Sequence, residues 1–155
     1  MRDVLLGLSP GHEDVDVVVE GDAVRLARAL TARRPGKVTA HTAFKTATLQ
    51  FKDGSKVDFA TARREVYAHP AALPTVTPSS IREDLFRRDF TINAMAVDLS
   101  PKTSGYLVDF FGGRQDLHRR WIRVLHPKSF IDDPTRIFNE AADGSLYWRP
   151  KASVH

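Results

Sequence analysis

Asp14-Val15-Asp16-Val17-Val18-Val19-Glu20-Gly21-Asp22 decides the fold class. The valine run predicts a buried strand over about residues 14–20. Gly21-Asp22 then breaks the extended pattern, with Asp22 placed as the N-cap of a helix. Beyond it, Ala23, Leu26, Ala27 and Leu30 repeat at helical spacing, while Arg25, Arg28 and Arg33 fall outside the stripe. Pro35-Gly36 ends that helix. Two strands follow, from Val38 to about Thr42 and from Ala47 to Phe51. Asp53-Gly54 signals a hairpin turn, and Lys56-Val57-Asp58-Phe59-Ala60 returns as the next strand. Strand, helix and antiparallel meander together predict an α/β arrangement with a mixed sheet.

Towards the C-terminus the signals are sparser. Prolines 70, 74 and 78 predict a surface loop from Tyr67 to Pro78. Ser80-Ile81-Arg82-Glu83 reads as a capping box opening a helix that carries Leu85 and Phe86. Thr91 to Ala96 continues or restarts a helix before Val97-Asp98-Leu99 extends. Leu107-Val108-Asp109 reads as a short strand and Gly112-Gly113 as a turn. Asp133-Pro134 marks the start of a last helix, ending near Asp143-Gly144. No repeat, low-complexity tract or dividing linker is visible.

Composition excludes several classes of function. At 155 residues, 42% hydrophobic and 27% charged, the chain suits one soluble globular domain of ordinary size. It has no apolar run of about 18 residues that would span a membrane. With no cysteine there is no disulfide, thiolate metal site or cysteine nucleophile, which agrees with a cytoplasmic setting. The six histidines form no i, i+4 pair, and no glycine-rich phosphate loop occurs. The net charge of +4 is a mild pointer to a polyanionic partner. Any phosphate chemistry must therefore use carboxylates and arginines.

Asp14 and Asp16 supply the carboxylates. Two positions apart on a strand, they project to one side and can approach one hard cation or a pair of them, magnesium above all. An isolated Asp-x-Asp is more often a solvated strand edge. Here the valines predict a central strand, where an unpaired acid pair is costly. Asp58 is a third carboxylate or, equally, a cross-strand partner for a lysine or arginine. Arg87-Arg88-Asp89-Phe90-Thr91-Ile92-Asn93-Ala94-Met95-Ala96 supplies the arginines. Arg87 and Arg88 carry planar donor forks suited to phosphate, Asp89 can hold one of them rigid, and Asn93 follows at i+4. The competing reading is an exposed helix face on which Glu83, Asp84, Arg87 and Arg88 pair. It accounts less well for Phe90, Ile92, Ala94 and Met95, whose density predicts inward packing.

That decapeptide resembles the signature of the class II tRNA nucleotidyltransferase (CCA-adding) and bacterial poly(A) polymerase family. Arg2-Asp3-Val4-Leu5-Leu6-Gly7, Asp14-Val15-Asp16, Phe44-Lys45-Thr46-Ala47-Thr48, Val57-Asp58-Phe59-Ala60-Thr61-Ala62-Arg63-Arg64-Glu65, Asp109-Phe110-Phe111-Gly112-Gly113 and Phe130-Ile131-Asp132-Asp133-Pro134-Thr135-Arg136 agree in collinear order. The resemblance implies a polymerase-β-like head, α/β (α+β), with a mixed, mostly antiparallel sheet flanked by helices. It implies magnesium on Asp14 and Asp16, and contacts from Arg2, Arg88 and Arg136 to incoming ATP or CTP. Asp89 and Asn93 would shape the nucleotide pocket. The implied reaction is nucleotide transfer to an RNA 3′ end, that of tRNA.

The resemblance also implies domain bounds: a head over 1–125, the start of a neck helix over 126–138, and a divergent tail over 139–155. The family's glycine pair before the first arginine is missing, so the head is expected to be truncated at its N-terminus. Asn139 and Ala142 stand where the family carries further arginines. An uncovered sheet edge points to self-association. A second reading follows from these departures: a head that binds RNA or nucleotide without transferring it.

Overall fold

The computed structural model describes residues 1–7, 15–69, 74–134, 136 and 149–150. In chain order its elements are α1 (Arg2–Leu5), β1 (Val15–Val19), α2 (Ala23–Leu30), β2 (Gly36–His41), β3 (Thr46–Phe51), β4 (Lys56–Thr61), β5 (Arg63–Val66), β6 (Thr75–Pro78), α3 (Ile81–Phe86), β7 (Ala96–Val97), β8 (Leu107–Val108), α4 (Gly113–Arg119), β9 (Trp121–Ile122), α5 (Ser129–Asp132) and β10 (Arg149–Pro150). The chain divides into two compact units, one of residues 10–64 and 76–84, the other of residues 1–9, 65–75 and 85–155. No helix among the described residues is long and apolar enough to cross a membrane.

The first unit holds the sheet, ordered β1-β4-β3-β2. β1 runs parallel to β4, while β4, β3 and β2 form the antiparallel meander. This is the mixed, mostly antiparallel sheet expected. The register aligns Val17, Phe59, Ala47 and Ala40 in one row across the strands, and Val15, Val57, Leu49 and Val38 in the next. Helix α2 packs on that apolar face. Ala23 and Ala27 join Ala47, Leu49 and Phe59 in the buried core, ringed by Val17, Val19, Val24, Leu30, Val38, Phe51 and Val57. Asp22 caps α2 as predicted, its carboxylate accepting from Arg25 N–H at 2.9 Å.

Two expectations fail here for local reasons. Val24 takes the packed flank that the spacing assigned to Leu26, which is 38% exposed. The valine run does not make β1 central: β1 is an outer strand of the sheet, and Val15 is 54% exposed. Only alternate residues of a strand face the helix, so three consecutive valines cannot all enter one core.

The loop expected over 67–78 is partly strand. β5 and β6 pair in a two-stranded ladder, where every strand is an edge and Pro78 is tolerated. Residues 70–73 lie outside the described ones. At α3, Ser80 Oγ accepts from Glu83 N–H at 3.4 Å, as a capping serine should. Ile81 N–H goes to Glu20 Oε1 at 2.6 Å.

In the second unit Phe90, Ile92, Met95, Leu117 and Ile122 form a core, packed by Leu6, Leu107, Val124 and Phe130. The stretch after Arg88 is not α-helical. Phe90 bridges Val124, Thr91–Asn93 make a single 3₁₀ turn, and β7 pairs antiparallel with β8. Phe90, Ile92, Ala94 and Met95 are all buried, a spacing that no one face of an α-helix provides.

Helix α4 stands where Gly112-Gly113 predicted only a turn. Asp109 caps it, its carboxylate accepting from Gly113 N–H at 2.8 Å and Arg114 N–H at 2.9 Å. A Cβ on Gly113 would lie 2.2 Å from the Thr91 carbonyl oxygen, so only glycine lets α4 rest directly on the 91–93 turn. At the C-terminal end, α5 finishes at Asp132, before the predicted helix start. Of the helix expected from Asp133-Pro134 to about 144, Asp133 is extended and Pro134 lies in a turn, and of the rest only Arg136 is among the described residues.

Candidate active site

The face of the sheet opposite α2 is polar. The register that aligns the apolar rows also aligns Asp16 of β1, Asp58 of β4, Thr48 of β3 and Thr39 of β2 in a single row. Neighbouring strands are roughly 4.8 Å apart, so Asp16 and Asp58 stand side by side, the first exposed and the second half-buried. Thr48 Oγ1 donates to Asp58 Oδ1. Asp58 thus has a threonine hydroxyl as its cross-strand partner, not a lysine or arginine, and one of its oxygens is oriented. Two aligned carboxylates in a row completed by Thr48 and Thr39 offer the oxygen ligands that suit a hard divalent cation. Asp14 lies outside the described residues, and among the described residues no three acidic, histidine or cysteine side chains cluster.

The second unit gathers three of the residues named from the sequence. Arg2 Nη1 donates to Asn93 Oδ1 at 3.0 Å across 91 positions of chain, and Arg2 Nε donates to Asp3 Oδ1 at 2.9 Å. Asn93 Nδ2 donates to Asp89 Oδ1 at 3.1 Å, and that same oxygen accepts from Phe90 N–H at 2.8 Å. The two contacts on Asn93 set its amide orientation, oxygen toward Arg2 and nitrogen toward Asp89. The i+4 relation of Asp89 and Asn93 survives although the backbone between them is not an α-helix.

Arg87 and Arg88 follow the end of α3 and are half-buried. Arg87 Nη1 bonds Glu65 Oε1 at 3.1 Å, and the Tyr67 hydroxyl donates to Glu65 Oε2 at 2.9 Å. Burial first, then the hydrogen bond and charge of Glu65, push the Tyr67 phenol above its ordinary value. Arg136 is 5% exposed. Its guanidinium donates to the Arg87 carbonyl at 2.8 Å, the Arg88 carbonyl at 3.2 Å and Ser129 Oγ at 2.6 Å.

Tyr67 and Ser129 were not named as site residues from the sequence, and Thr48 and Glu65 stood there only within motifs of the family resemblance, with no role assigned. Thr48 lies opposite Asp58, a signal available once the hairpin register is drawn. Glu65 meets Arg87 22 positions on, while Tyr67 and Ser129 bond residues two and seven positions away that no pattern in the sequence marks as their partners.

Compared with known proteins, residues 1–123 match the family model described as the poly A polymerase head domain. The A-adding tRNA nucleotidyltransferase of Aquifex aeolicus is 54% identical over 138 residues, covering 88% of this chain and 16% of that protein. Among solved structures, an apo form II of a CCA-adding enzyme superposes with a TM-score of 0.92 at 47% identity, over 98% of this chain and 36% of that one. A tRNA nucleotidyltransferase complexed with a primer tRNA and an incoming ATP analogue gives 0.84 at 46% identity, over 98% and 41%. The chain spans only 16% of the length of the first curated relatives it matches.

Proposed function

The chain belongs to the poly A polymerase head-domain family, and from that premise we propose that it transfers a nucleotide from ATP or CTP to an RNA 3′ end, that of tRNA. The observation that carries this reading is the alignment of Asp16 with Asp58 on the polar face of the sheet. The A-adding relative of Aquifex aeolicus supports ATP, and neighbours solved with CTP and with an ATP analogue support both nucleotides as candidates.

In this reading the RNA 3′-hydroxyl attacks the α-phosphate, a phosphodiester forms and pyrophosphate leaves. Asp16 and Asp58, with Asp14, hold magnesium, which neutralises charge on the reacting phosphate when bound. Arg2 and Arg88 grip the triphosphate through charge-assisted hydrogen bonds. Asp89 and Asn93 shape the nucleotide pocket, the Asn93 amide being oriented by Arg2 and Asp89. Residues 1–125 serve as the head and 126–138 lead into a neck. A tRNA acceptor places the reaction in the cytoplasm, and the outer edge of β1 offers a route to self-association.

Thermal unfolding tests the nucleotide grip. Magnesium with ATP at about 100 times its dissociation constant is expected to stabilise the chain by about 2.7 kcal/mol. The gain should shrink in EDTA and in Arg88→Ala, and a larger gain with CTP would reassign the nucleotide. An unchanged midpoint with either nucleotide overturns the reading.

A further inference from the structure

We propose that Arg136 is a positioning residue that holds the Arg87-Arg88 turn for nucleotide binding, not a ligand of the nucleotide itself. The inference rests on the nucleotide-transfer reading and departs from the contact that the family resemblance implied for this arginine.

Past the end of α3 the backbone leaves the helical ladder, and the carbonyls of Arg87 and Arg88 need donors from elsewhere. Arg136 supplies them from 49 and 48 positions away, with Nη2 on Arg87 and Nη1 on Arg88. Nη1 also holds Ser129 Oγ at 2.6 Å, and Nε stands 3.7 Å from Asp133 Oδ2. At 5% exposure, with every guanidinium nitrogen facing a protein acceptor, the fork has little left to offer a phosphate.

The same turn is held from its other side. Glu65, itself bonded by the Tyr67 hydroxyl, pairs with the Arg87 side chain. Arg87 is therefore fixed at both its carbonyl and its guanidinium, which makes it part of the mount. Arg88, the next residue, is the arginine that the mount presents. The segment 129–136 is thereby tied to the nucleotide-gripping turn, so that a displacement of one is felt by the other.

A double-mutant cycle on the full chain separates positioning from contact. Magnesium-ATP affinity is measured for the unaltered chain, Arg88→Ala, Arg136→Ala and the double variant. Alone, Arg136→Ala is expected to lower affinity about ten-fold, as loss of a supporting hydrogen-bond shell commonly does. In the Arg88→Ala background it should change affinity less than about two-fold. Losses that multiply would make Arg136 a direct ligand and overturn the proposal.

Amide hydrogen exchange gives a readout independent of nucleotide. Arg136→Ala should speed exchange over residues 86–96 about ten-fold or more and leave the β2–β4 meander unchanged. If the meander also loses protection, the alanine variant has unfolded and Arg136→Lys takes its place. Unchanged exchange over 86–96 overturns the proposal. If the unaltered chain binds no nucleotide, the transfer reading fails, and exchange alone decides whether Arg136 braces the turn.

Discussion

Asp16→Asn is expected to lower nucleotide incorporation by about 10²–10³-fold, the usual cost of removing one preorganised electrostatic contact to a reacting group. Its stability should hold or rise slightly. Asp16 is exposed on an outer strand and stands beside the like-charged Asp58. Like charges directly opposite on neighbouring strands repel, so neutralising one relieves a strain that the cation otherwise offsets. Exposed substitutions of this kind stay within about 0.5 kcal/mol. Single-turnover incorporation and a urea midpoint on the same preparation separate the two effects. Full activity would show that Asp16 does not serve the reaction, and a collapsed midpoint would show that it serves the fold.

Asp116→Ala is expected to act in the opposite way, costing about 1–3 kcal/mol of stability by removing the buried acceptor of a hydroxyl and a half-exposed guanidinium. Asp116 is 2% exposed, and its Oδ2 accepts from the Thr91 hydroxyl at 2.5 Å and from Arg123 Nε at 2.9 Å. Arg123 in turn donates to the Phe111 carbonyl at 2.8 Å, and Thr91 opens the turn that ends in Asn93. Removing the carboxylate leaves the buried Thr91 hydroxyl without its acceptor, while Arg123 keeps the Phe111 carbonyl and access to water. Domains of this size are stable by about 5–15 kcal/mol, so a measurable part of the margin would go. A urea midpoint that implies a loss under about 1 kcal/mol would show that the pair contributes little.

The sheet unit was legible because each of its signals is local. The Asp22 cap, the Asp53-Gly54 turn and the alternation through Leu49 and Phe51 all act within a few residues, and each lies where the sequence puts it. The position of β1 was not legible, since a valine run looks the same in an outer strand as in a central one. Its rank follows from pairing with β4, some forty residues on. Helix α4 was invisible because Leu117 is the only large apolar residue between Arg114 and Arg119, so no period exists to read. Its place is set by Gly113 against Thr91.

The site was legible in its parts but not in its wiring. Asp16, Asp58, Arg2, Asp89 and Asn93 were all named from the sequence. Nothing local could say that Arg2 meets Asn93 or that Arg136 faces backbone carbonyls. Those are long-range contacts, and a hydrogen-bonding side chain carries no mark of which distant acceptor it will find.

The most direct test of the account is growth of the RNA 3′ end. The purified chain is incubated with magnesium, labelled ATP or CTP, and tRNA ending at the discriminator base. The account predicts label at the tRNA 3′ terminus, pyrophosphate released in step, and neither in EDTA nor in Asp14→Ala/Asp16→Ala. Incorporation no greater than in that double variant would contradict it and leave a head that binds nucleotide or RNA without transferring it.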